Sequence, residues 1–589
     1  MESFDLVVIG AGFNGLCGAK TYLEYNPNSK ILIVDAESTI GGVWAKHRLY
    51  KSLKTNNLFG NYEFSDFPMD GEAFGVKDGQ HIPGTVVHGY LEAYANHFGL
   101  TERMKLRSKV LSAEHQEDRS SWILTIDTDS GGMEAEASSN TSIIITRRLV
   151  VATGFTSQAF LPAFKGQELF NVPLFHCRNL LQHQPDLLES ETEKKVVVYG
   201  GTKSAWDAAY ACAISGVPVT MVIRESGHGP CWMSEPYGTP IKMYIERLIM
   251  TRFITYFSPC IWATSSLVRS FLYRSWIGRK FVNLFWFALA HDMNTNNKYD
   301  QHPETKKLKP WTSPFWIGSG LSILNYETNF FDLVKSGKIK IQIADIISLS
   351  SRKVHLSNDT VLDTDALICA TGWKATPPIS FLPDGIQGKL GLPWSADPLD
   401  ESLLRQAEEE ILTKVPALRD QPVMNRNLKP ISDDAEACTP HPLRLVRFIA
   451  PPRLTDRSIV FLGTTLSTET TMIAQAQSLW ATAYFADKLN MRSTAIPAPE
   501  LHRPDSVDWE IALHSEFGRF RYPGGLGKRN PDFIFDALPY VDLLLGDLGL
   551  NPYRKGGFFA DHFTPYKLSD YKGLVEEWKA NTKKPETSK

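Results

Sequence analysis

The chain has 589 residues, 43% of them apolar, which is enough to bury more than one core. A formal net charge of −3 and a pI near 6.6 leave no electrostatic footprint for nucleic acid. Seven cysteines, odd in number and without a C-x-x-C pair, argue against a disulfide framework and fit a reduced, cytoplasmic setting.

Residues 4–9 read as a short buried strand, entered at once with no basic and apolar stretch of a signal peptide before it. Residues 11–25 read as the helix that follows. Gly10, Gly12 and Gly15 form G-x-G-x-x-G across the turn between them, and Gly18 extends the series. The first glycine permits the tight turn, the second lets a pyrophosphate approach the backbone, and the third lets helix and strand pack closely. The phosphates would lie on the N–H groups of the helix N-terminus. A second strand, residues 30–34, ends at Asp35, twenty residues after Gly15, where a carboxylate accepts from the ribose hydroxyls of an adenine dinucleotide.

LVVATGF (149–155) runs an apolar strand into Ala-Thr-Gly, and ALICATGW (366–373) repeats it. Between them KKVVVYGGTKSAWDAA (194–209) is again strand, glycine turn and helix. Gly200 and Gly201 make its turn, with Thr202 and Ala205 where a strict fingerprint has glycine. The next strand, 217–223, ends at Arg224, and an arginine there suits a 2′-phosphate that a carboxylate would repel. Lys203 could add charge to the same pocket. One turn selects an acid and the other a base, which points to two different dinucleotides.

The longest charge-free apolar stretch, 253–268, is broken by Pro259 and falls short of the roughly 20 residues a spanning helix needs. With 281–290 it makes an aromatic-rich region over residues 240–295. The reading preferred is buried helices or a lid over a hydrophobic pocket, with peripheral membrane contact as the alternative and no transmembrane segment. Residues 383–442 read as loops with one helix, and RSIVFLGTTLST (457–468) supplies a late strand and glycine turn. The expected architecture is α/β, with two doubly wound Rossmann-like dinucleotide-binding domains, one inserted into the other. Residues 1–165 and 371–578 build the first, 166–370 the second with its helical insertion, and 579–589 a disordered tail. No His, Cys, Asp or Glu cluster has metal-ligand spacing, and nothing fixes the oligomeric state.

The ordered motifs resemble the class B flavoprotein monooxygenases, which include the flavin-containing monooxygenases and the Baeyer–Villiger enzymes. Gly10, Gly12, Gly15 and Asp35 correspond to the family's FAD fingerprint, and IGGVW (40–44), with Gly42 and Trp44, to its G-G-x-W stretch. TNNLFGNYEFSDFP (55–68) resembles the Thr-Asn segment followed by Phe-x-Asp-Phe-Pro, and VVHGYLEAYANHFGL (86–100) the helix after it. GGTKSAWD resembles the NADPH turn, which brings in Gly200, Thr202, Ser204 and Arg224. The two Ala-Thr-Gly stretches bring in Thr153, Gly154, Thr371 and Gly372.

The resemblance implies FAD and NADPH as cofactors and molecular oxygen as co-substrate, with a C4a-(hydro)peroxyflavin oxygenating a small hydrophobic molecule such as a terpenoid or polyketide intermediate. It also implies that Asn56 is the catalytic amide that steadies that intermediate. Two departures stand out. Phe164-Lys165-Gly166 is followed by a longer gap than F-x-G-x-x-x-H before His176, which leaves that histidine's role open, and no Baeyer–Villiger arginine can be placed. Oxygenation at nitrogen, sulfur or an alkene and ketone insertion all remain open. So do an NADPH oxidase that releases hydrogen peroxide and a non-catalytic flavin-binding protein, whereas a dithiol–disulfide reductase lacks its cysteine pair.

Overall fold

The computed structural model describes residues 1–128, 141–238, 243–263, 266–374, 376, 378–423, 425–431, 441–489, 507–523 and 530–583. β1 (Glu2–Ile9) passes through the first glycine turn into α1 (Phe13–Tyr25) and β2 (Ile31–Val34). β3 (Lys54–Leu58), α2 (Gly84–His97) and β4 (Met104–Lys105) follow, then a meander of β5 (Lys109–Gln116), β6 (Ser121–Asp127) and β7 (Thr141–Val151). The chain crosses to β8 (Leu174–His176), β9 (Val196–Tyr199), α3 (Lys203–Ile214) and β10 (Val219–Ile223). A helical excursion holds α4 (Ile245–Ile249), α5 (Leu267–Arg274) and α6 (Trp276–Asn297), before β11 (Ile339–Ile343) and β12 (Ala366–Cys369). It returns through β13 (Ser380–Leu382), α7 (Glu401–Lys414), β14 (Ile459–Phe461) and α8 (Thr470–Phe485), and ends with α9 (Phe558–Phe563) and α10 (Leu574–Lys583).

Two sheets result. The first has the order β13-β5-β6-β7-β1-β2-β4, with β14 also paired to β7. β1 lies parallel to β2 (Leu6↔Ile31) and to β7 (Ile9↔Val151), and the meander is antiparallel. The second is wholly parallel, β11-β10-β9-β12-β8. Leu6, Val7 and Val8 of β1 and all four residues of β9 are buried. An unbroken apolar run suits a strand covered on both faces, which is the condition of a parallel sheet. α8 is buried on nearly every side and packs on α1, closing the first unit with residues far along the chain.

The second sheet is built within residues 174–369, and the first from residues 2–151 together with 380–382 and 459–461. Three local expectations change. Residues 383–442 hold the short helix Ile386–Leu390 besides α7. α10 continues through Lys583, because Trp578 is buried against Tyr25 and the Lys579 ammonium donates to the Glu24 carbonyl; residues 584–589 of the expected tail lie outside the described residues. The excursion is helical as expected, but α5 and α6 bury only one face, leaving Leu267, Trp276 and Phe287 at 91%, 68% and 67% exposed.

Candidate active site

Each glycine turn lies against the carbonyl of an Ala-Thr-Gly segment. Ala152 N–H donates to Ile9 O and Ala370 N–H to Tyr199 O, both at 2.8 Å, continuing β7 and β12 beside the strands that lead into the turns. A Cβ on Gly10 (φ 109°) would come within 2.4 Å of Ala152 O, and one on Gly200 within 2.7 Å of Ala370 O. Side chains are excluded there by backbone, before any ligand is considered.

Gly12 differs. It is the N-cap of α1 with φ −85° and ψ −173°, and no side chain caps the helix there. A Cβ on it would meet only Gly42, with Cα 3.7 Å away, and one on Gly42 would meet only the Gly12 Cα at 3.4 Å. Two facing glycines therefore leave a cradle at an uncapped helix start, which the protein does not fill itself. The G-G-x-W loop is pinned to it by Gly41 N–H donating to Ala11 O at 2.9 Å, and Trp44 is buried with its indole N–H on the Tyr62 hydroxyl at 3.1 Å. Asp35 closes the far side. Its Oδ2 accepts from Ala11 N–H at 2.6 Å and its Oδ1 from Glu37 N–H at 2.8 Å, and burial raises its pKa despite those donors. These residues fit the diphosphate and ribose of FAD: backbone N–H groups at a helix dipole's positive end, and a carboxylate beside them with lone pairs to spare.

In the second unit Thr202 is the N-cap of α3 and its side chain makes no cap bond; Ser204 is exposed in the first turn. Arg224 stands at the end of β10, its guanidinium donating to Ser226 Oγ (2.9 Å), Lys429 O (2.8 Å) and Pro430 O (3.2 Å), 3.8 Å from Asp345. Lys203 turns elsewhere. Its ammonium pairs with Asp207 and donates to Asn325 Oδ1 at 2.9 Å, so the two cations share no partner.

The crossings run side by side. Phe160 N–H donates to Gly372 O (3.0 Å), Lys374 N–H to Gln158 O (2.9 Å) and the Thr371 hydroxyl to Phe160 O (2.5 Å). Thr153 and Gly154 (φ 62°) begin the first crossing, and Gly372 (φ 86°) lies in the second. An ion cluster sits on the first crossing: Glu37 accepts from Arg48 and Arg178 and lies 3.0 Å from His47 Nε2, while Arg48 and Arg178 donate to Thr156 O and Ser157 O. His176 belongs here. It is 2% exposed, accepts Arg178 N–H on Nδ1 and packs edge-on against Trp373, and burial lowers its pKa to about 4. It is a neutral structural histidine at the crossing.

β3 carries the Thr-Asn segment into the cleft between the units. Alternation along the strand sends Asn56 one way, its amide 3.4 Å from Ser322 Oγ, and Asn57 the other. The Asn325 amide donates to Lys54 O and Thr55 O, so the second unit grips the strand. On its opposite side the sequence reading missed a buried carboxylate pair. Glu246 of α4 accepts from Asn57 Nδ2 (2.5 Å), Leu58 N–H (2.8 Å) and Asn61 Nδ2 (2.8 Å). Asn57 also donates to Thr468 O (3.0 Å), next to Glu469, which is 2% exposed. Burial raises the pKa of both glutamates, and at Glu469 it does so to well above the ordinary range, with the charge of the nearby Glu246 adding to it. The one available signal was Glu246's isolation as the only acidic residue between Glu235 and Asp292.

The family description "Flavin-binding monooxygenase-like" matches residues 4–296. The chain is 35% identical to FAD-dependent monooxygenase resA of Aspergillus sclerotiorum, over 98% of each chain. It is 34% identical to an FAD-dependent monooxygenase of Pyrenophora dematioidea, over 94% of this chain and 99% of that one. Its fold is that of cyclohexanone monooxygenase in its open crystal form (TM-score 0.56, 15% identity, 99% of this chain and 98% of that one). The chain belongs to the flavin-binding monooxygenases. It is a flavin-dependent oxidoreductase whose cofactor is FAD.

Proposed function

We propose that the first unit holds FAD and the second NADPH, and that the cleft between them oxygenates a small hydrophobic molecule of the kind built in secondary metabolism. The observation that carries this reading is the facing pair Gly12 and Gly42 in the first unit, set across two bonded crossings from the second turn. FAD, reduced by NADPH, supplies the oxygen chemistry, placing one oxygen atom in the substrate and the other in water. The chain's own residues bind, orient and exclude solvent. Gly10, Gly12, Gly15, Asp35, Gly42 and Trp44 hold the flavin nucleotide; Gly200, Thr202, Ser204 and Arg224 hold the nicotinamide nucleotide. Thr153, Gly154, Thr371 and Gly372 shape the passage between them. Asn56 presents a neutral amide donor to the cleft, able to hold an oxygen acceptor without protonating it.

Trp286 packs edge-on against Phe315 and Phe535 within the buried core, and the small cavity lined by Trp262, Phe448, Phe517 and Phe533 beside the loop that follows β14 also takes in His514, Asp532 and Asp536. The test follows the bound flavin's absorbance under anaerobic NADPH, then NADPH consumption and product with oxygen and a panel of hydrophobic ketones, amines and sulfides. Bleaching, with product formed in step with NADPH on at least one substrate, supports the proposal. Full recovery of the electrons as hydrogen peroxide across the panel makes the protein an oxidase; no bleaching makes it a flavin-binding protein without turnover.

A further inference from the structure

The helical excursion carries a surface that the oxygenation site leaves unused. From Arg247 to His291 the sequence holds six Arg or Lys residues and no Asp or Glu, in a chain whose net charge is −3. α5 and α6 turn a tight corner in this segment. Ser266 Oγ accepts Arg269 N–H and Ser275 Oγ accepts Gly278 N–H, so each helix starts on a serine cap, and a Cβ on Gly278 would strike Phe271 O at 2.1 Å. The inner face is fixed by Leu272, Tyr273, Val282 and Trp286, all buried.

The outer face is apolar and open. On α6, Ile277, Phe281 and Leu284 follow helical spacing and are 53%, 53% and 61% exposed, flanked by Trp276 and Phe287. The band continues onto the C-terminal part of the chain through ring contacts: Phe285 stacks on Phe257 (4.5 Å), Phe257 meets Phe253 (5.2 Å) and Phe253 meets Phe563 of α9 (5.7 Å). Phe559 beside it is 77% exposed. A continuous apolar band of this kind marks an interaction site.

Charge selects the partner. Arg269 is buried on Thr255, Arg252 is paired with Asp542 and Arg247 with Asp78. Arg274, Arg279 and Lys280 rim the band, and among the described residues no carboxylate lies in salt-bridge distance of them. A two-fold contact with a second copy would set these cations against one another with no acid on the patch to answer them. An anionic lipid surface answers all three, takes Trp and Phe side chains at headgroup depth, and lets the long Arg and Lys stems reach the phosphates. No helix among the described residues is long and apolar enough to cross a membrane, so the contact would lie in the plane of the interface.

We propose that the outer face of α5 and α6, extended by α9, docks the enzyme on anionic membrane surfaces, where an apolar substrate would be concentrated. The docking claim stands apart from the oxygenation reading, since its readout needs no turnover. The purified flavin-loaded protein is sedimented with phosphatidylcholine vesicles and with phosphatidylcholine/phosphatidylserine vesicles. Wild type should pellet with the anionic vesicles and be released by salt. Arg274→Gln/Lys280→Gln should weaken that partitioning on the order of thirtyfold at low salt, at about 1 kcal/mol per surface charge. Trp276→Ser/Phe281→Ser/Phe287→Ser should lose binding while staying yellow and reducible by NADPH. Three results overturn the proposal: wild type left in the supernatant with both vesicle types; equal binding by the charge variant; or a wild-type dimer in light scattering that the aromatic variant dissociates, which would make the face a contact between copies.

Discussion

Alanine at Gly12 and alanine at Gly15 should fail in opposite ways, although the two glycines share one turn. A Cβ at Gly15 would lie 1.9 Å from the Gly10 carbonyl oxygen and 2.9 Å from its carbon. Both atoms are backbone, so the turn must open, at the roughly 1–3 kcal/mol typical of overpacking or more. At Gly12 the backbone is extended and open to any residue, and the nearest atom to a Cβ is 3.7 Å away. The flavin-free protein should lose about 1 kcal/mol or less at this N-cap and regain part of it from a less free unfolded chain. The same Cβ occupies the cradle that the pyrophosphate needs. Losing two charge-assisted hydrogen bonds to phosphate costs about 3–6 kcal/mol, or two to four powers of ten in Kd. The assay strips the flavin, compares thermal unfolding of the apoproteins, and titrates FAD by quenching of its fluorescence. Gly12→Ala should unfold within about 2 °C of wild type yet bind FAD at least a hundredfold more weakly, whereas Gly15→Ala should lose stability outright. Equal destabilisation of the two apoproteins, or wild-type FAD affinity in Gly12→Ala, would refute the reasoning.

Asn56→Asp should retain FAD and reduction by NADPH but divert electrons to hydrogen peroxide, because an ionised carboxylate only accepts hydrogen bonds; peroxide yield per NADPH measures it, and unchanged coupling would make Asn56 structural. Arg224→Ala should narrow the preference for NADPH over NADH by about 1–3 kcal/mol in kcat/KM, and an unchanged ratio would place discrimination elsewhere. Burial works to raise the pKa of Glu37, but His47, Arg178 and Arg48 prevail and hold it at about 2, below its usual 4.5. A depressed carboxylate stabilises the fold above pH 4.5 and loses that contribution as pH falls toward 2. Glu37→Gln should therefore cost on the order of 2 kcal/mol at neutral pH after solvent screening, with the gap to wild type closing between pH 4.5 and 2 in denaturant titrations. Glu469 has the opposite sign: its raised pKa makes wild-type stability fall as pH rises above about 4.5. Glu469→Gln should flatten that fall, and a parallel pH profile would show that the Glu246–Glu469 contact carries no charge cost.

Local order was legible because it is written in short-range chemistry. The glycine spacing after β1, the acid ending β2, the weaker turn after β9 and the paired Ala-Thr-Gly stretches each depend on residues within about twenty positions of one another. Even the unresolved histidine had a local cause, since the stretched gap before His176 moves it to the end of β8, under Trp373. What the sequence could not specify are meetings between distant segments. Asn57, Glu246 and Glu469 converge from three parts of the chain, and only burial brings two carboxylates together and sets their protonation. The Glu37 cluster needs Arg178, some 140 residues on, beside the first crossing, and Arg224 reaches the carbonyls of Lys429 and Pro430 some two hundred residues on. The aromatic helices are the plainest case. Their composition announced helix and apolarity, but a residue's exposure is set by what packs against it, and nothing in the described chain covers the outer face of α5 and α6.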